Sequence, residues 1–205
     1  MVQGDTAVEV RRFAVDIEEP LGITFDGKNL WVVENGGSIY CIDRLGTIIK
    51  EIAPPVTDPY GITFNGKNLV VTDLSTNLLY QLSRTGNVIA IIPGLGLPVE
   101  DICYVGKNIG GRASIIDIIG FTDFIGTPLY SFPTIGTAHG GMAFDGKHLW
   151  FGDHDDQVLY KYSQSGTLLR SLLTTGTGIS GLTFDGVYLW ATAMATAEVI
   201  QYRVV

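Results

Sequence analysis

The chain has 205 residues and a formal net charge of −8; 46% of its residues are hydrophobic and only 17% are charged. That composition supports a sizeable buried core and excludes a disordered chain. No apolar run approaches the roughly 20 residues of a membrane span, and the acidic balance argues against nucleic acid and anionic membrane surfaces as partners.

The first residues, MVQGDTAVEVRRF, lack the apolar run of a signal peptide. Cys41 and Cys103 make no disulfide framework. A cytoplasmic protein and a mature exported one both fit.

In chain order, the first predicted element is a strand over about residues 7–14, centred on Val10-Arg11-Arg12-Phe13. It is followed by a phrase that recurs five times: GITFDGKNLWV from Gly22, GITFNGKNLVV from Gly61, DICYVGKNIGG from Asp101, GMAFDGKHLWF from Gly141 and GLTFDGVYLWA from Gly181. The spacings are 39, 40, 40 and 40 residues. Each unit reads as four short strands. In the first, strand A is Ile23 to Phe25, strand B is Leu30 to Val33, strand C is Ile39 to Ile42 and strand D is Ile48 to Ile52. Asp26-Gly27, Asn65-Gly66, Asp145-Gly146 and Asp185-Gly186 make the tight A–B turns, because these residues tolerate φ > 0. No segment sustains a 3.6-residue apolar period, so helix should be nearly absent.

A four-stranded unit of about 40 residues cannot bury both faces alone, and radial stacking solves this. The fifth repeat stops after strand C. The N-terminal strand lies as far before Gly22 as strand D of the first unit lies before Gly61, so it completes the last sheet and leaves no open edge. The reading is one all-β domain over 1–205: a monomeric five-bladed β-propeller of four-stranded antiparallel blades, closed by its N-terminal strand. The wording of Pro59 to Asp73 and of His139 to Asp153 resembles NHL-type repeats, and related wording occurs in gluconolactonase-like and virginiamycin-lyase-like propellers. That resemblance implies the scaffold, in families that include binding modules, lyases and lactonases.

The B–C and D–A loops share one rim, here called the top. They vary in sequence, while the turns of the bottom rim are monotonous, which is the usual layout of a binding surface. Carboxylates gather at the top (Glu18, Glu19, Glu34, Asp58, Asp73, Glu100, Asp101, Asp153, Asp155, Asp156), opposed there by Arg112, and the bottom collects Lys and Arg. Candidate contacts are Glu19, Glu34, Tyr60, Asp73, Glu100, Arg112, His139, Asp153 and His154. The antiparallel A/B hairpin places Glu34 opposite about Glu19, and Asp153 opposite about His139. Carboxylates there accept hydrogen bonds or hold a divalent cation such as calcium, and Tyr60 offers a stacking surface. The same spacing lets Asp73 and Asp153 serve only to cap the B–C turns. The expected function is binding of a small molecule, a sugar or a basic peptide segment without chemistry. The alternative is a metal-assisted hydrolase or lyase with His139 as acid and base. The third repeat breaks the pattern: Gly110 stands where Trp31, Trp150 and Trp190 recur, and Gly120 where Tyr40, Tyr80 and Tyr160 recur. That leaves either space beside Arg112 or a local refilling by Phe121 and Phe124.

Overall fold

The computed structural model describes residues 5–94, 98–113, 116–135, 140–175 and 178–203. The N-terminal segment forms β1 (Asp5–Thr6) and β2 (Val8–Ala14). Blade I is β3 (Pro20–Phe25), β4 (Leu30–Glu34), β5 (Ile39–Ile42) and β6 (Ile48–Ile52). Blade II is β7 (Pro59–Phe64), β8 (Leu69–Asp73), β9 (Leu78–Leu82) and β10 (Val88–Pro93). Blade III is β11 (Asp101–Val105), β12 (Asn108–Ala113), β13 (Ile118–Thr122) and β14 (Pro128–Pro133). Blade IV is β15 (Met142–Phe144), β16 (Leu149–Asp153), β17 (Val158–Tyr162) and β18 (Leu168–Leu173). Blade V takes β19 (Gly181–Phe184), β20 (Tyr188–Ala193) and β21 (Glu198–Arg203) from the C-terminal repeat, and β2 as its outer strand.

The fold is therefore a five-bladed propeller whose ring is closed by the N-terminal segment. Strand β2 pairs antiparallel with β21 from Val8↔Arg203 to Ala14↔Glu198. Phe13 meets Trp190 edge to face at 6.3 Å, and Arg12 bridges Glu9 and Glu198 at 2.9 Å each. The segment does more than the repeat count foretold. Strand β1 adds in parallel to β18, the outer strand of blade IV, and Asp5 reaches Arg170 at 2.7 Å. One stretch of chain thus ties the outer edges of two blades.

At the hub the inner strands β3, β7, β15 and β19 approach closely at Gly22, Gly61, Gly141 and Gly181. A β-carbon on Gly22 would lie 2.5 Å from the Tyr60 carbonyl and 2.9 Å from the Gly61 Cα. Only a residue without a side chain permits that spacing.

The bottom rim is held by a repeated polar device. Asp26, Asp145 and Asp185 each accept the indole N–H of the Trp five residues on, at 2.8–2.9 Å. They also cap their own A–B turns, whose glycines have φ near +90°. Arg84 of blade II reaches Asp26 of blade I at 3.6 Å, and Arg44 of blade I reaches Asp185 of blade V at 3.3 Å. Blade II carries Asn65 in place of the Asp, and Phe124 of blade III stands where the Arg would be. The basic bottom expected from the sequence is thus partly neutralised by its own turn carboxylates.

Candidate functional site

Several of the top-rim carboxylates are committed to the backbone. Asp73 is buried and accepts bonds from the Ser75 and Thr76 N–H groups and the Ser75 hydroxyl on Oδ1, and from the Thr57 N–H on Oδ2. Asp153, also buried, caps its B–C turn through Oδ1, taking the N–H groups of Asp155 and Asp156 at 3.1 and 2.8 Å. Glu34 lies opposite Pro20, next to Glu19: a bulge between Pro20 and Ile23 carries it one residue on from Leu21, which unbroken pairing would give. Its carboxylate accepts the Glu18 N–H and the Tyr40 hydroxyl. Glu19 turns instead to the Asn35 side-chain amide. The two therefore form no carboxylate pair. His154 is part-exposed, with Nδ1 3.1 Å from Asp155 Oδ1. His139 lies outside the described residues. Among the described residues, no group of three or more His, Cys, Asp or Glu side chains is arranged to hold a metal ion.

The exception to this pattern is blade III. Asp101 occupies the hub position that is Gly in the other four repeats, and it is fully buried there. Its carboxylate accepts the Met142 N–H at 2.5 Å and its own neighbour's, Ile102, at 2.9 Å. A side chain thus staples the inner strands of blades III and IV, as Thr63 Oγ1, accepting the Tyr104 N–H at 3.0 Å, does for blades II and III. Burial drives the Asp101 acid well above its ordinary value, against the pull of those N–H donors. Next to it, Glu100 is 8% exposed. The Tyr60 hydroxyl is pushed up to about 12 by burial and by the charges of Glu100, Asp101 and Asp58, so it remains an O–H donor at neutral pH.

Arg112 pairs with Asp101 in the β11–β12 register, and its own position holds Val33, Thr72, Gly152 or Thr192 in the other blades. It is 1% exposed. Its guanidinium crosses to blade IV, 4.1 Å over the Phe151 ring, and Nη2 lies 3.5 Å from Asp117 Oδ1. Burial lowers its pKa, and the charges of Glu100, Asp117 and Asp153 oppose that shift. A buried guanidinium is tolerable only in such company. Within the group, Asp153 Oδ2 is buried and meets no hydrogen-bond donor among the described residues. The upper ends of blades III and IV therefore hold a buried cation, carboxylates around it, and a free acceptor.

The expected residues divide accordingly. Glu100, Arg112 and Asp153 come together with Asp117, and Tyr60 stands on the far side of Glu100. Glu19, Glu34, Asp73 and His154 do not join them. Asp117 went unnoticed, although a signal was present: it falls on the 40-residue clock of left-handed positions Asn77, Asp117, Gln157 and Ala197, with φ of 51–56°. Asp101 also had a visible signal, since it replaces a glycine in the repeated phrase. The refilling expected for the third repeat happens at one gap, by Phe121 but with Met142 in place of Phe124, which packs edge to face on Tyr104 at 5.6 Å. A β-carbon on Gly110 would meet Phe121 at 2.8 Å and Met142 at 3.1 Å, so their side chains fill the Trp space.

No protein-family model matches the chain, and no curated protein does. Solved structures do match. Glutaminyl cyclase from Myxococcus xanthus superposes with a TM-score of 0.83 at 10% identity, covering 97% of this chain and 96% of that one. Virginiamycin B lyase from Staphylococcus aureus, in a catalytically inactive form with quinupristin, superposes with a TM-score of 0.59 at 18% identity, covering 91% of this chain and 66% of that one. A second structure of that lyase gives a TM-score of 0.58 at 20% identity, with the same coverage. At these identities the likeness is one of fold: this chain has the propeller scaffold that these enzymes also use.

Proposed function

We propose that the protein binds a small molecule carrying a protonated amine at the upper ends of blades III and IV. Asp153 and Glu100 accept its N–H groups, and Arg112 receives an acceptor atom, such as a carbonyl or carboxylate oxygen, of the same molecule. An amino acid, its amide, or the free N-terminus of a peptide has that pair of groups. The observation that carries the reading is the buried Asp153 Oδ2 beside the buried Arg112: a desolvated acceptor without a donor is costly, and a ligand N–H removes the cost.

A thermal-shift screen of amino acids, amino-acid amides and dipeptides tests it, because a ligand that prefers the native state raises Tm with saturation. Asp153→Asn keeps the Oδ1 acceptor that caps the turn and replaces Oδ2 with a donor, so the shift should vanish while the fold stays. Failure of every ammonium-bearing compound to raise Tm, or a shift that survives Asp153→Asn, would overturn the proposal.

A second reading makes the site catalytic. Its support is the end-to-end likeness to a glutaminyl cyclase, together with the Tyr60 hydroxyl held protonated near the carboxylate of Glu100. In that reading Glu100 accepts a proton from the bound molecule and Tyr60 supplies one. Glu100→Gln then abolishes turnover and leaves binding in place, whereas pure binding shows no turnover in either form.

A further inference from the structure

We infer that blade III carries a separate site for a single aromatic ring of the phenol class, on the side facing blade II and away from Arg112. The repeat provides the template. On the matching face of the other blades, strands B and C set a side-chain pair across the ladder: Val32 with Tyr40, Val71 with Tyr80, Phe151 with Tyr160, Ala191 with Ile200. In blade III the same register pairs Gly111 with Gly120. Where the slot is occupied the ring is well held: Tyr160 is 8% exposed and stacks on Phe151 at 5.9 Å. The gap at Gly110 is closed by Phe121 and Met142, whereas Gly120 lines a cavity of about 260 Å³ among the described residues. Among the described residues its walls include Ala113, Ile118, Leu129 and Ser131, with Ile116 and Tyr130 at the rim. Ile116, Leu129 and Tyr130 are 43–45% exposed, so the cavity has a mouth.

The missing side chain defines the occupant. Three blades fill this slot with a hydroxyphenyl ring, and the lining of the vacant one is predominantly aliphatic with the Ser131 hydroxyl beside Gly120. An apolar cavity of roughly 150 Å³ already holds benzene, so this one accommodates a substituted ring. p-Cresol, which is the tyrosine side chain as a free molecule, is the probe.

Titration of p-cresol, followed by the methyl resonances of Ile118 and Leu129, should show saturable shifts at those methyls and a matching rise in Tm. Gly120→Tyr restores the side chain of blades I, II and IV, and Gly120→Ile restores that of blade V. Each should weaken p-cresol at least about tenfold, a difference of about 1.4 kcal/mol. If neither variant folds, Leu129→Trp at the mouth provides the same test. The inference fails if the wild type shows no saturation up to the solubility of p-cresol, if the shifts fall on methyls elsewhere, or if affinity is unchanged in the folded variants. It stands or falls independently of the amine site, since Asp153→Asn leaves this cavity intact.

Discussion

The hub geometry makes a signed prediction for Gly22→Ala. Gly22 has an ordinary negative-φ strand conformation, so alanine costs nothing in backbone strain, and in a strand with room it would add about 0.5–1 kcal/mol of stability. Here the new methyl would sit 2.5 Å from the Tyr60 carbonyl and 2.9 Å from the Gly61 Cα and Ile62 N, all backbone of the next blade. To reach ordinary contact at 3.4 Å the two inner strands must part by about 0.9 Å. In a closed ring that displacement cannot be taken up on one side alone. Overpacking of this kind costs roughly 1–3 kcal/mol, and obstruction by backbone puts it near the top of that range. The net loss should be about 2 kcal/mol, or a fall in Tm of roughly 4–8 °C for a chain of this size. Urea and thermal denaturation of the two forms measure it. A Tm that is unchanged or higher in Gly22→Ala would refute the close approach of blades I and II.

The bottom rim and the hub should respond to pH in opposite directions. Burial raises the Asp26 acid, but bonds from the Asn29 and Lys28 N–H groups and the Trp31 indole outweigh it, and the net value lies below the ordinary one. Its stabilisation is therefore complete above about pH 4 and lost as pH falls through the depressed value; Asp26→Asn should flatten the acid limb of a Tm–pH curve. Asp101 holds its proton more tightly folded than unfolded, so its contribution is whole at low pH and declines as pH rises above the unfolded value near about 4. Asp101→Asn should reduce the fall of Tm between about pH 4 and 8, whatever its absolute stability. Gly110→Trp, which restores the consensus side chain of the other blades, should lower Tm by several degrees, since Phe121 and Met142 already fill that space; a gain in Tm would show the space to be free.

The scaffold was legible because its causes repeat. Five copies of one phrase fix strands, turns and blade count, and the fifth copy's lack of a strand D points to residues 8–14. The small strand β1 was not legible: two residues, Asp5 and Thr6, carry no periodicity, and their pairing depends on where β2 delivers them. The site was partly legible for the same reason. Arg112 stood out as a charge in a column of Val, Thr and Gly, and Asp153 as the end of strand B. Their meeting did not, because Arg112 reaches across the blade III–IV boundary to Phe151, and direction between blades leaves no mark on spacing along the chain. The Glu34–Glu19 pair did not form because each side chain takes another partner, Glu34 the Glu18 N–H and the Tyr40 hydroxyl and Glu19 the Asn35 amide, and that choice leaves no mark on spacing.

All of this geometry depends on the ring being closed by residues 8–14, which turns β21 from an edge strand into an interior one. Native-state hydrogen exchange reads that directly at the amides of Glu198–Arg203 that face β2. Closure predicts that they exchange only with global unfolding, as slowly as those of β20, the strand beside them. Fast exchange of those amides, at the rate of the outer strands β6 and β14, would contradict it.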